Sequence, residues 1–259
     1  MKIQFHKYQA TGNDFILINN REGIFPVNPK LINTMCDRRF GIGSDGLILI
    51  GKSNEVDFTM TFYNPDGTQS FCGNGSRAAI HFAYTLKLIG DSARFKAYDG
   101  VHEGFIMPEM VKVSMRDVQN GRMILNGIFI DTGSPHYVEV TENVELLNLM
   151  TQGKEIRNDQ KFHPKGTNVN FIEKTGKEQI KVRTYERGVE NETYSCGTGV
   201  TASALVSVKE DGSHHVSVTT KGGGLTVSFE KGSSGFSNIW LEGPAERVYK
   251  GEYNIQSLG

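Results

Sequence analysis

Residues 58–83 read FTMTFYNPDGTQSFCGNGSRAAIHFA, and residues 180–207 read IKVRTYERGVENETYSCGTGVTASALVS. Both begin with an alternating stretch rich in aromatic or β-branched residues, the pattern of a half-buried strand. Both then pass through a polar turn to Cys-Gly-x-Gly and on into small residues at helical spacing. The same order of features, nearly half the chain apart, points to duplication and to two similar lobes facing one another.

Around these copies the same signals recur. FILIN (15–19), GLILIG (46–51), HVSVTT (215–220) and LTVSF (225–229) read as further strands between Gly, Asn and Asp turns. Three helices are expected: Pro29 to Phe40, Gly75 to Ile89, and Gly199 to about Val208. In the second, Ala78, Ala79, Phe82, Ala83, Leu86 and Ile89 share one face. The class is mixed α and β, rich in strands, rather than a regular βαβ alternation. Gly41-Ile42-Gly43-Ser44-Asp45-Gly46 satisfies a lone G-x-G-x-x-G. A dinucleotide site needs a strand before that motif and a helix after it, and here the expected order is reversed.

Length and composition bound the function. The 259 residues suffice for one large domain or two of ordinary size. Hydrophobic residues at 37% and charged residues at 22% describe a globular chain. Lys+Arg 28 against Asp+Glu 29, without a basic run, argues against nucleic acid as a partner. No apolar run reaches the roughly 18 residues of a membrane span. The opening MKIQFHKYQATGNDF carries no apolar signal-peptide core. Three cysteines, an odd number, argue against a disulfide framework and for a reducing, cytoplasmic setting.

Cys72 and Cys196 each stand where strand and turn give way to a helix. The unpaired N–H groups of a first helical turn form an anion site, and the same end of the dipole lowers a thiol's pKa. Flanking glycines let a ligand approach the backbone. Two facing copies would hold one carboxylate and set a sulfur on each face of the adjacent carbon. Such a site suits proton removal from one face and return to the other, without pyridoxal or metal. The pair should share one negative charge, because two adjacent thiolates repel. The alternative is that both are small buried hydrophobes. Cys36, in TMCDRRF, lacks this context and reads as structural. Zinc is not expected: there is no C-x-x-C, and the one close His pair, His214-His215, reads as part of a polar turn.

With these residues in place, the sequence resembles the diaminopimelate epimerase family of cofactor-independent racemases over essentially its whole length. The likeness is carried by Gly12-Asn13-Asp14-Phe15, Gly41 to Gly46, Asn64-Pro65-Asp66-Gly67, the Cys72 turn, Ser134-Pro135-His136 and Asn168-Val169-Asn170-Phe171. It continues through Glu186-Arg187-Gly188, the Cys196 turn, Gly222-Gly223-Gly224-Leu225 and Leu241-Glu242-Gly243-Pro244-Ala245. The resemblance implies that Cys72 and Cys196 are the acid/base pair and that the amides of Gly73, Asn74, Gly197 and Thr198 hold the reacting carboxylate. It implies a substrate, diaminopimelate, surrounded by Asn13, Asn64, Asn168, Glu186 and Arg187, with His136 and Glu186 tuning proton affinity and no cofactor or metal. A guanidinium suits the distal carboxylate and a glutamate the distal ammonium. Read alone, each asparagine could equally be a turn or cap residue, and Glu186-Arg187 a solvated pair.

The implied fold is α+β: two pseudo-symmetric lobes, each a strand-rich, barrel-like sheet wrapped round a central helix, with the active site in the cleft. The first lobe is expected at 1–117 with a returning strand at 247–259, the second at 118–246, and the assembly as a homodimer. Three departures from the family pattern stand out: Ser134 where some members carry Asn, a GVENET segment (188–193) one residue longer than the common form, and Gly46 where some members carry glutamine. Two other readings remain. One is a proline or hydroxyproline-type racemase of the same fold, and the other a non-catalytic, redox-sensitive binding protein.

Overall fold

The structure is a computed structural model that describes residues 1–255. Its backbone divides into two compact units, Met1–Val113 with the returning chain from Pro244, and Ser114–Gly243. Each is α+β and strand-rich, and the two repeat one topology.

In the first unit Lys2–Ala10 pairs antiparallel with both Asn13–Asn19 and the last strand, Glu246–Asn254. The expected returning strand thus runs to Asn254, and its residues 256–259 lie outside the described residues. After helix α1 (Pro29–Cys36), Gly46–Gly51 joins Asn13–Asn19 in parallel, and Phe58–Tyr63 returns antiparallel. Helix α2 (Gly73–Thr85) then leads to Ser92–Ala97, parallel to Phe58–Tyr63, followed by antiparallel Gly100–Met107 and Met110–Ser114.

The second unit follows the same steps. Gly127–Asp131 and Pro135–Val140 form an antiparallel pair, and helix α3 (Leu149–Arg157) follows. Asn168–Gly176 joins in parallel, and Gln179–Glu186 returns antiparallel. Helix α4 (Gly197–Ser207) then leads to parallel Gly212–Thr220 and antiparallel Gly223–Gly232 and Gly235–Gly243. Duplication therefore extends well beyond the cysteine turns, to the whole order and sense of the strands.

In each unit the strands enclose one helix. Helix α2 packs against Lys2–Ala10, Asn13–Asn19, Gly46–Gly51, Phe58–Tyr63, Gly100–Met107 and the last strand. Helix α4 packs against seven strands of its own unit, from Gly127–Asp131 to Gly235–Gly243. A helix surrounded in this way has no polar face, so Ala202, Ser203, Ala204 and Leu205 are all buried. Their small size lets the strands approach. Helix α1 covers a separate apolar cluster that includes Phe5, Ile16, Phe25, Leu31, Met35 and Leu47.

Two helix ends differ from expectation. Helix α1 stops at Cys36 rather than Phe40, because the Asp37 carboxylate accepts from the amides of Arg39 and Phe40, both at 2.7 Å, and turns the chain. Helix α2 stops at Thr85 rather than Ile89, because Lys87 adopts φ 58°. Lys87 N then bonds Tyr84 O and Leu88 N bonds Ala83 O, the paired closure usually built on glycine. His214 and His215 lie within the strand Gly212–Thr220, not in a polar turn, and His214 bonds Glu178 at 2.8 Å. The order around Gly41–Gly46 is helix then strand, as the rejection of a dinucleotide motif requires. Among the described residues no helix is long and apolar enough to cross a membrane.

Candidate active site

Cys72 is the N-cap of α2 and Cys196 the N-cap of α4, both in extended backbone conformation. Gly73 and Asn74 are thus the first two residues of one helix, Gly197 and Thr198 of the other. Amides at those positions have no carbonyl partner within their helix. The Cys72 sulfur accepts from Gly75 N at 3.3 Å, a bond that favours the thiolate. Cys196 makes no such cap bond, and its sulfur lies 3.5 Å from the Thr198 hydroxyl.

In the first unit the structure gathers Asn13, Cys72 and Asn74. Asn13 Nδ2 donates to Asp45 at 2.7 Å. Its Oδ1 is thereby turned toward the Cys72 sulfur, at 3.9 Å, and accepts from Asn74 Nδ2 at 3.3 Å. Behind Asn13 stands an ion network in which Lys7 and Arg38 pair with Asp14, and Arg38 also with Asp45. Burial pushes the Asp14 carboxyl up, but hydrogen bonds and charge from Arg38 and Lys7 outweigh it and bring the pKa down to about 2. Asn64 behaves differently. Its amide nitrogen bonds the Thr68 hydroxyl at 3.0 Å and Ser70 at 3.3 Å, closing its own turn on the approach to Cys72.

In the second unit Cys196, Thr198, His136, Asn168 and Arg187 are joined through Ser134. The Ser134 hydroxyl lies 2.9 Å from His136 Nε2, 3.1 Å from Thr198 Oγ1 and 3.5 Å from Asn168 Nδ2. Ser134 is therefore tied to its neighbours in the unit. Asn168 Oδ1 accepts from Arg187 N at 2.9 Å, fixing the backbone beneath the guanidinium. Glu186 ends the strand Gln179–Glu186, and residues 188–193 form a short return pinned by the Arg157–Glu190 ion pair.

His136 is fully buried, and burial, with the Arg187 charge, lowers its pKa to about 3. It is neutral at physiological pH. Asn170 Nδ2 donates to His136 Nδ1 at 3.1 Å, so the ring proton sits on Nε2 and points to Ser134 and Thr198. The Thr198 hydroxyl lies between the neutral His136 ring, 3.0 Å from Nε2, and the Cys196 sulfur at 3.5 Å.

Sequence reasoning missed several supports. Asn170 alternates with Asn168 on one strand, and that period of two was the available signal. Thr11-Gly12-Asn13 and Thr132-Gly133-Ser134 occupy equivalent turns, and each third residue bonds the residue two after its cysteine. The glycines of the cysteine turns also have a packing role beyond ligand access. A Cβ on Gly199 would lie 2.6 Å from Asn170 Oδ1, and one on Gly75 3.1 Å from Ile48 Cδ1. At Gly46 no side chain fits, since a Cβ would meet the Phe62 ring at 2.3 Å.

Cys36 is buried, accepts from the Ser44 hydroxyl at 3.4 Å, and is pushed up in pKa mainly by burial, as a structural thiol should be.

Known proteins agree with this architecture. The family model described as diaminopimelate epimerase matches residues 5–116 and 128–248. The diaminopimelate epimerase of Flavobacterium psychrophilum is 44% identical, with 96% of this chain and 99% of that protein covered. That of Chlorobaculum tepidum is 41% identical, with 95% and 99% covered. Among solved structures, a phenazine biosynthesis protein of the PhzF family from Bacillus anthracis shares the fold at TM-score 0.73 and 16% identity, covering 98% of this chain and 100% of that one. On the strength of a near full-length family match and relatives above 40% identity, this chain belongs to the diaminopimelate epimerase family.

Proposed function

We propose that this protein is an isomerase that interconverts LL- and meso-diaminopimelate without a cofactor, using Cys72 and Cys196 as a two-base pair. The observation that carries the reading is the repeated placement of a cysteine at the N-cap of an enclosed helix. In the proposed reaction one thiolate takes the α-proton, and the electron pair left on carbon delocalises into the carboxylate. The other sulfur, as a thiol, delivers its proton to the opposite face. The sulfurs end with their protonation states exchanged, so the next turnover runs from the other side or after proton exchange with water.

The developing negative charge on the carboxylate would be met by the amides of Gly73, Asn74, Gly197 and Thr198, at the positive ends of α2 and α4. Arg187 would bind the distal carboxylate and Glu186 the distal ammonium, with Asn13, Asn64 and Asn168 fixing orientation. Asn13 Oδ1 and Asn168 Nδ2 are each held by neighbours within their own unit, which supports an orienting role. The His136–Thr198 pair would set the proton affinity of Cys196. The two-unit division with a returning C-terminal strand, and a homodimer, complete the proposal; light scattering checks the latter.

The test is conversion of LL-diaminopimelate in deuterated water, under reducing conditions and without added cofactor. Formation of the meso isomer with one deuterium at the inverted carbon is expected. Absence of both conversion and exchange would overturn the reading, and preferential turnover of proline or hydroxyproline would favour the other racemase.

A further inference from the structure

Five residues into the helix after each cysteine the two turns differ in charge: the first has Arg77 and the second Thr201. Arg77 is fully buried in α2. Its Nη2 donates to Thr11 Oγ1 at 3.3 Å, while Nε and Nη1 have no hydrogen-bond partner among the described residues. Nor does Arg77 have a carboxylate within ion-pair distance among the described residues, although the molecule pairs Lys7, Arg38, Arg157 and Arg183 with acids. A buried guanidinium without a counter-ion is costly, and folded proteins retain one where a charge is needed.

Its surroundings indicate which charge. Long side chains in a helix point back toward its N-terminus, here toward Cys72. Arg77 bonds Thr11, and Asn13, two residues on, has its Oδ1 3.9 Å from the Cys72 sulfur. Thr11 is buried at φ 50°, a left-handed conformation that threonine disfavours, so the turn is held at some cost with its hydroxyl on Arg77. Thr201, at the matching position, bonds its own helix at Gly197 O and carries no charge.

We propose that Arg77 is a positioning residue that holds Cys72 as a thiolate in the resting protein. It acts from behind the helix tip as a fixed counter-charge, without touching substrate. Burial draws the guanidinium pKa down to about 10, and the charge of Cys72 opposes that fall, so Arg77 remains a cation at neutral pH. Other titratable groups around α2 are already engaged or sit toward its far end. Asp14 and Asp45 pair with Arg38, and His102, under Phe71, pairs with Asp99. His6 and Tyr8 pack on Phe82, and Glu246 and Arg247 act on His81.

The proposal gives Cys72 its place in the two-thiol reading, but its test needs no turnover. Alkylation of Cys72 by iodoacetamide is followed by peptide mass spectrometry from pH 5 to 10, in the wild type, Arg77→Met and Arg77→Lys. The wild-type midpoint should fall below the free-thiol value of about 8.5. Arg77→Met should raise it and slow alkylation at pH 7 at least about tenfold, while Arg77→Lys restores most of the loss. A wild-type midpoint at or above the free-thiol value overturns the proposal, even if Arg77→Met fails to fold. So does an unmoved midpoint in a folded Arg77→Met. A depressed, Arg77-dependent midpoint without epimerisation would sink the two-thiol reading and leave this inference standing; full turnover with an ordinary Cys72 would do the reverse.

Discussion

The first and second cysteine turns share a backbone plan and differ in the chemistry behind the sulfur. Each begins at a Thr-Gly-x turn whose third residue, Asn13 or Ser134, bonds the residue two after the cysteine, Asn74 or Thr198. Where the first unit has apolar Phe15 and the cation Arg77, the second has neutral His136 and Thr201 at the matching positions. A duplicated scaffold thus supplies two helix tips of similar electrostatics, and buried substitutions make them unequal.

The largest effect should come from removing either sulfur. Cys72→Ala and Cys196→Ala should each lower turnover by about 10²–10⁴-fold, the usual contribution of a positioned acid or base. Full activity in either variant would break the equivalence of the two turns.

His136→Phe gives the second unit the residue that the first carries as Phe15. Ser134 and Thr198 keep each other and Asn170 keeps Tyr137 O, so the loss should be moderate, about 1–3 kcal/mol in urea unfolding. The same variant tests pH dependence. Wild-type His136 stays unprotonated in the fold but gains a proton at about pH 6.5 when unfolded, so stability should fall as pH drops from about 6.5 toward 3. His136→Phe should flatten that slope; an unchanged slope would show that His136 does not set it.

Gly199→Ala and Gly75→Ala compare matched positions. The first drives a Cβ against Asn170 Oδ1, whose partners hold it, and should cost about 1–2 kcal/mol. The second presses only on the movable end of Ile48, meets Cys72 Cβ and Sγ at an ordinary 3.4 Å, and should be near neutral in thermal melts. Equal losses would contradict the claim that the tighter packing lies behind Cys196.

A small effect, confined to acid, belongs to the ion network behind Asn13. Asp14 has a depressed folded pKa of about 2 against a usual 3.8, so its contribution is present above about pH 4 and lost as pH falls through 2. Allowing for the water around this partly open network, it is worth about 1 kcal/mol. Asp14→Asn should remove that acid-range loss while leaving the His136 window intact, which acid titrations of both variants would show.

Much of this was legible in the chain. The strands at 46–51 and 58–63 and the enclosed helices α2 and α4 follow from alternation and from small residues after Cys-Gly-x-Gly. Helix α3 left no such trace, because only Leu149 and Gly153 of its nine residues are buried and a central glycine weakens the helical pattern. The end of α2 was hidden because Lys87 takes a conformation that sequence reserves for glycine. Arg77 stood in plain view as a charge among small residues, yet its isolation from acids among the described residues appears only in three dimensions.

Hydrogen exchange at the substrate α-carbon in the two single-cysteine variants bears most directly on the two-base account. A variant with one sulfur can remove a proton only from the face it meets and must return deuterium to that face. Cys72→Ala and Cys196→Ala in deuterated water should therefore each label one stereoisomer without inverting it, and the two variants should choose opposite isomers. Labelling of the same isomer by both, or inversion by either at the wild-type rate, would contradict the account.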